Sequence, residues 1–245
     1  IFESYIKETD SLIDNFKGDL TYTSFNILLG FFNIKFDAKG ISIFQFDLFF
    51  NKLLSSLNET NKINNNIPYL NKSRDPSKKL TLVLDLDETL VHYPREKLHA
   101  LENDHDLNHL KIRRGCLELI KKLGKVYELI IFTSSSEDYA KIVLDKIDPE
   151  RLIYKLLSST YISEFQGMHI KDLNLLGRDI NSVIILDNEP INFVLNPENG
   201  ITIKSWYGDS LDESLIYFTE IFLNLIKMTF TDVRKALKEI QNLDL

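Results

Sequence analysis

Residues 80–92 read LTLVLDLDETLVH, and the fold turns on them. Leu80 to Leu84 form a short, unbroken apolar run, the pattern of a strand buried on both faces. Two carboxylates, Asp85 and Asp87, follow at its carboxyl end. Open α/β sheets bind their ligands at that end of their strands. In a strand, Asp85 and Asp87 point to the same side, because side chains alternate with period two. Two like charges so close need a cation or a shared proton to compensate them. A strand ending in an acidic turn is the plain alternative, and the Thr89–Leu90 continuation weighs toward chemistry.

Downstream, strand-like runs alternate with helical ones. A helix is expected over Arg114–Leu123, with Leu117, Ile120 and Leu123 on one face. Further strands are expected at Val126–Phe132, Leu152–Leu157, Ile180–Leu186 and Ile201–Lys204. Helices are expected at Glu137–Ile147, Leu211–Met228 and Asp232–Asn242. Such alternation implies a mostly parallel sheet.

Two of these strands, and the stretch that carries Lys171, bring polar residues of the right kind. Val126–Phe132 runs into Thr133–Ser134–Ser135, whose hydroxyls and backbone N–H groups suit phosphoryl oxygens at a helix start. The same residues also suit a helix N-cap. Ile180–Leu186 ends in Asp187–Asn188, oxygen donors fit for a hard cation such as Mg²⁺, or simply for a β-turn. Lys171, in HIKDLNLLGRDI, is a point-charge anchor for phosphate if it reaches the site, and a surface lysine if it does not.

Composition bounds the reading. A chain of 245 residues with 44% hydrophobic content can bury a substantial core. A net charge of −7 argues against a nucleic-acid partner, which calls for a basic face. The single cysteine, Cys116, fits a reducing compartment and reads as a core thiol in a helix. No apolar run is long enough for a membrane span. The chain begins at Ile1 rather than Met and shows no signal peptide, so it is expected to be part of something longer. The polar stretch 58–79, rich in Asn and Lys with Pro68 and Pro76, reads as a linker between residues 1–57 and a body at 80–229, with a C-terminal helix at 230–245.

The blocks LDLDETLVH, YELIIFTSSSEDYA, IKDLNLLGRDINSVIILDNEP and SWYGD together resemble the haloacid dehalogenase superfamily. Within it they resemble the FCP/SCP-like, or NLI-interacting-factor, phosphatases, over about residues 80–225. The resemblance implies a Rossmann-like α/β fold with a mostly parallel central sheet flanked by helices. It also implies a Mg²⁺-dependent protein serine/threonine phosphatase acting through an aspartyl-phosphate. Carried onto this chain, Asp85 is the nucleophile and Asp87 the general acid. Thr133 binds the phosphoryl group and Lys171 offsets charge. Mg²⁺ falls to the Asp85 carboxylate, the Asp87 carbonyl and Asn188, with Asp187 nearby. The implied partner is a phosphoprotein substrate, and the implied compartment is intracellular, nuclear or cytoplasmic.

The match departs from the family at three places. The insert after the first motif is a short polar segment here, Tyr93–Lys111, and reads as a solvated loop or helix rather than a metal site despite His99, His105 and His109. Ser159 or a neighbour stands where relatives acting on the RNA polymerase II tail carry an arginine. Glu189 replaces the serine of the usual DNSP.

Outside the resemblance, GDLTYTSFNILL (18–29) and KGISIFQFDLFF (39–50) look like halves of EF-hands. Ser24 and Gln45 occupy the places of the bidentate glutamate, so calcium is not expected. A small helical module is the expectation there. Its Phe31, Phe32, Phe44, Phe46, Phe49 and Phe50 call for burial against the body or against a partner protein, as does the C-terminal helix. The alternatives are a catalytically silent docking or structural subunit of the same fold, and a small-molecule phosphatase. The second normally needs a cap domain for which no insertion is long enough.

Overall fold

The computed structural model describes residues 68–71, 75–94, 107–165, 168–229 and 231–241, together with helical positions at Lys52 and Ser55. Apart from Lys52 and Ser55, the expectations for residues 1–57, and those for His99 and His105, lie outside the described residues.

Strands β1 (Thr81–Leu84), β4 (Glu128–Phe132), β5 (Ile153–Leu157), β8 (Val183–Asp187) and β9 (Gly200–Thr202) form a parallel sheet. Their order across it is β5-β4-β1-β8-β9. Two antiparallel pairs stand apart from it: β2 (Val91–His92) with β3 (Lys111–Ile112), and β6 (Ser163–Phe165) with β7 (Met168–Ile170). The α-helices are α1 (Cys116–Leu123), α2 (Glu137–Ile147), α3 (Ser214–Leu225) and α4 (Arg234–Gln241).

The central strand β1 pairs with β4 on one side and β8 on the other, and all four of its residues are buried. That is why it reads as a continuous apolar run rather than an alternating one. Alternation is nonetheless present in the packing. Leu82 and Leu84 join Leu129, Ile131, Ile184 and Leu186 in one core layer, together with buried residues of all four α-helices. Val83 joins Ile130, Phe132, Val183 and Ile185 in the opposite layer, which Leu70, Leu173, Leu176 and Phe193 cover. Leu70 belongs to the stretch 58–79, and Tyr69 beside it donates its N–H to the Leu175 carbonyl at 2.8 Å.

Several expected boundaries shift for local reasons. Leu117 is 45% exposed, and the buried face of α1 is formed by Cys116, Leu119, Ile120 and Leu123. The helix starts two residues later than expected because Gly115, at φ +87°, turns the chain into it. The strand expected from Ile180 begins at Val183, because Asp179 accepts the Asn181 N–H and winds Ile180–Ser182 into a 3₁₀ turn. The helix expected from Leu211 begins at Ser214, since Asp212 holds the Ser214 N–H and hydroxyl in the preceding turn. Neither antiparallel pair is foreseen by the periodicity, because strands of two or three residues carry too little pattern. In α4, Val233 just before the helix and Leu237 within it are fully buried in the body's core.

Cys116 is buried in α1, as expected, and burial pushes its thiol up to about 12. No helix among the described residues is long and apolar enough to cross a membrane.

Candidate active site

β4, β1 and β8 are neighbours in the sheet, and the residue runs that follow them converge at one end. β1 ends at Leu84, so alternation does not carry through to Asp87. Each carboxylate instead has its own set of partners. A turn follows in which Glu88 adopts a left-handed φ of +57°. That conformation is held from both sides: Glu88 N–H donates to the Val91 carbonyl at 2.8 Å, and Trp206 N–H donates to the Glu88 carbonyl at 2.8 Å.

Asp85 is buried at 6% exposure. Lys171 Nζ donates to its Oδ1 at 2.7 Å, and Thr89 Oγ1 donates to its Oδ2 at 2.7 Å. Lys171 comes from the residue after β7 and is fully buried. Its second donation, at 2.6 Å, goes to Asp187 Oδ2 at the end of β8. The other oxygen of Asp187 accepts the Glu189 N–H and the Asn192 amide, each at 2.9 Å. The surface-lysine alternative for Lys171 is therefore wrong. It is the cation between two buried carboxylates, Asp85 and Asp187.

One ammonium between two carboxylates leaves this cluster with a net negative charge. Burial opposes the charge on Lys171, but Asp187 and Asp85 outweigh it and raise its pKa. Burial likewise raises Asp187 against the pull of Lys171, with the Asp85 charge adding to the rise.

Asp87 faces a different neighbourhood. Ser135 Oγ donates to its Oδ2 at 2.7 Å, Thr133 Oγ1 approaches the same oxygen at 3.4 Å, and Tyr139 OH donates to Oδ1 at 2.5 Å. Burial pushes the Asp87 carboxyl up to about 6 even though the Tyr139 and Ser135 hydrogen bonds pull it down. Burial, followed by the Asp87 charge, raises the Tyr139 phenol well above its usual value, so it remains a donor. The two aspartates are thus pushed apart in character: one is braced by an ammonium, the other held among hydroxyls.

Asn188 Oδ1 lies 3.3 Å from Thr89 Oγ1, the hydroxyl that also reaches Asp85 Oδ2. Its Nδ2 donates to Ser205 Oγ at 3.0 Å, which turns the amide oxygen toward Thr89. Asp85 and Asn188 therefore present hard oxygen donors around one small polar group. Among the described residues no three His, Cys, Asp or Glu side chains converge as a metal cage. One or two carboxylates with an amide oxygen and solvent is the kind of set Mg²⁺ accepts, since it keeps several of its waters.

All six residues singled out in the sequence meet here: Asp85, Asp87, Thr133, Lys171, Asp187 and Asn188. Tyr139, Asn192 and Ser205 were not foreseen. Tyr139 follows Thr133 by six positions on α2, and nothing in a helix's apolar pattern marks a tyrosine whose hydroxyl leaves the core. Of the insert histidines, His109 is described, is exposed, and stands edge-on to Tyr93 at 6.4 Å.

The model of the NLI interacting factor-like phosphatases matches residues 80–234. The chain is 33% identical over 167 residues to Phosphatase PSR1 of Saccharomyces cerevisiae, covering 65% of this chain and 39% of that one. It is 36% identical over 170 residues to a probable C-terminal domain small phosphatase of Dictyostelium discoideum, covering 66% and 55%. It is 32% identical over 156 residues to the human carboxy-terminal domain RNA polymerase II polypeptide A small phosphatase 2, covering 60% and 57%. The chain thus spans roughly half the length of these relatives, or less. Among solved structures, that of Fcp1, an essential RNA polymerase II CTD phosphatase, aligns with a TM-score of 0.43 at 22% identity, covering 69% of this chain and 55% of that one.

Proposed function

This chain belongs to the NLI interacting factor-like phosphatase family, and from that premise we propose that it hydrolyses phosphoserine and phosphothreonine esters of proteins through an aspartyl-phosphate. The observation that carries the reading is the unlike treatment of the two aspartates. Asp85, its two oxygens held at 2.7 Å by the Lys171 ammonium and the Thr89 hydroxyl, is the carboxylate positioned to attack phosphorus. Asp87, raised to about 6 by burial, can hold a proton near neutral pH and deliver it to the leaving oxygen.

In the first half-reaction an Asp85 oxygen forms a bond to phosphorus, the ester O–P bond breaks, and the proton of Asp87 passes to the departing hydroxyl. In the second, a water oxygen bonds to phosphorus as the Asp85–phosphorus bond breaks, and Asp87 takes up the water's proton. The Thr133 and Ser135 turn at the end of β4 receives phosphoryl oxygens, and the N-terminus of α2 behind it favours their charge. Lys171 offsets charge on Asp85 as the phosphoryl group arrives. Asp85, the Asp87 carbonyl and Asn188, with Asp187 nearby, would hold Mg²⁺, whose charge lets a carboxylate approach an anionic ester.

The phosphatase body is assigned to 80–229 and the linker to 58–79, with Leu70 of the linker and Val233 and Leu237 beyond residue 229 packed into the body's core. A protein partner is assigned to residues 1–57, since α4 already buries Val233 and Leu237 in the body. The compartment in keeping with the family is intracellular, nuclear or cytoplasmic. The relatives whose names mention the RNA polymerase II carboxy-terminal domain make phosphoserine peptides of that kind one substrate class to try.

The test is hydrolysis of p-nitrophenyl phosphate with and without Mg²⁺, beside Asp85→Asn. Metal-dependent turnover that disappears in the variant is expected. Turnover that survives in Asp85→Asn would sink the aspartyl-phosphate. No turnover by a folded, Mg²⁺-binding wild type would favour the silent docking subunit.

A further inference from the structure

We infer that Tyr139 is a positioning residue that decides which oxygen of Asp87 passes the proton. The inference rests on the phosphatase reading above and adds a residue to it. The two oxygens of Asp87 are held by different donors. Oδ1 accepts the Tyr139 hydroxyl at 2.5 Å. Oδ2 accepts Ser135 Oγ at 2.7 Å and faces Thr133 Oγ1 at 3.4 Å. Ser135 and Thr133 belong to the turn after β4 where the phosphoryl group is received, so Oδ2 is the oxygen on the substrate's side.

A carboxyl on its own exchanges its two oxygens by rotation about its last torsion, which is broad and two-fold. Tyr139 blocks that exchange. Its side chain is 1% exposed, and its ring stands edge-on to Tyr93 at 6.4 Å. Its backbone is fixed as well, because Ser136 caps α2 by accepting the Tyr139 N–H at 3.3 Å. The phenol is enclosed by protein, so it acts on the reaction through Asp87 rather than by touching the ester. The Tyr139 proton stays on its own oxygen throughout both half-reactions. The proton that moves leaves Asp87 Oδ2 for the seryl oxygen as the ester bond breaks, and a water proton returns to Oδ2 as the Asp85–phosphorus bond breaks.

The ring must stay while the hydroxyl goes, so the variant is Tyr139→Phe, with its fold checked by thermal melting. Phosphoenzyme formation is followed in single turnover, with Mg²⁺, from a phosphoseryl peptide and from p-nitrophenyl phosphate. The seryl oxygen needs a proton to leave and the nitrophenolate does not. General acids supply about 10²–10⁴-fold, so Tyr139→Phe is expected to slow the peptide reaction at least ~10-fold more than the aryl reaction. Asp87→Asn, run beside it, is expected to show the same selectivity to a larger degree. Equal slowing of both substrates, or of neither, overturns the inference. A wild type that forms no phosphoenzyme from either substrate is a separate result and removes the phosphatase reading itself.

Discussion

Replacing Lys171 with methionine keeps much of the side chain's volume and removes the one cation that Asp85 and Asp187 share. The contacts are 2.7 and 2.6 Å. At that separation an ion pair in an effective dielectric of about 20 is worth roughly 6 kcal/mol before desolvation. Burying the ammonium, which has no exposed surface, takes several kcal/mol back from the two pairs. What remains in the variant is a pair of buried carboxylates without a counter-ion, and removing one partner of a buried pair costs about 3–5 kcal/mol. A domain of this size loses roughly 2–4 °C in Tm per kcal/mol, so a fall of about 6–20 °C is expected near neutral pH. Burial raises the Asp187 carboxyl and Lys171 pulls it down, so without Lys171 it binds its proton still more tightly in the folded chain than in the unfolded one. Stability of the variant then falls as pH rises from about 4, the ordinary carboxylate value, toward the raised folded value, and recovers on acidification. Urea unfolding in chelator across this range measures both effects. A deficit below about 1 kcal/mol near neutrality, or one that stays constant down to about pH 5, would refute the argument that Lys171 acts as the counter-ion.

Other consequences follow from single contacts. Asp87, raised to about 6, must be protonated to act as the acid, so phosphoenzyme formation from an alkyl phosphoester should decline as pH rises through that value. A flat single-turnover profile over this range would count against Asp87 in that role. Arg113 is 1% exposed and grips Asp212 with Nε at 2.7 Å and a terminal nitrogen at 2.8 Å, while its other nitrogen reaches the Thr89 carbonyl at 3.2 Å. Arg113→Leu should therefore cost about 3 kcal/mol by denaturant unfolding, since hydrogen bonds to charged groups contribute roughly 1.5–3 kcal/mol each. The Arg113 hydrogen bond holds the Asp212 carboxyl below its usual range, so the wild type loses this contribution as pH falls through that lowered value, and Arg113→Leu does not. At Gly200 an added Cβ would lie 2.1 Å from the Phe193 ring, which is buried. Gly200→Ala should destabilise by about 1–3 kcal/mol through overpacking, and Phe193→Leu in the same chain should recover part of the loss.

How much of this was legible in the sequence depends on the range of the physics involved. β1 could be read directly because a strand buried on both faces must be apolar at every position, and Leu80–Leu84 satisfies that without help from any other residue. The ends of the expected strands likewise located Thr133, Asp187 and Asn188, because in a parallel sheet the functional residues collect where strands end, whereas Lys171, which follows β7 outside that sheet, came only from the family resemblance. The elements that were missed or displaced are those too short to carry a period, such as β2 with β3 and β6 with β7, or those whose start depends on one side chain folding back on its own backbone, as at Asp179 and Asp212.

By itself, then, the sequence determined the fold class, the strand that carries the two aspartates, and the identity of the polar groups at the strand ends. These follow from local pattern and chain order. The tertiary structure alone decided how the two aspartates differ. Lys171 lies 86 residues from Asp85, and Tyr139 lies 52 residues from Asp87. The pKa of a carboxyl is set by burial and by the charges and donors within a few ångströms. Those neighbours come from other strands and helices, so packing assigns one aspartate an ammonium and the other three hydroxyls.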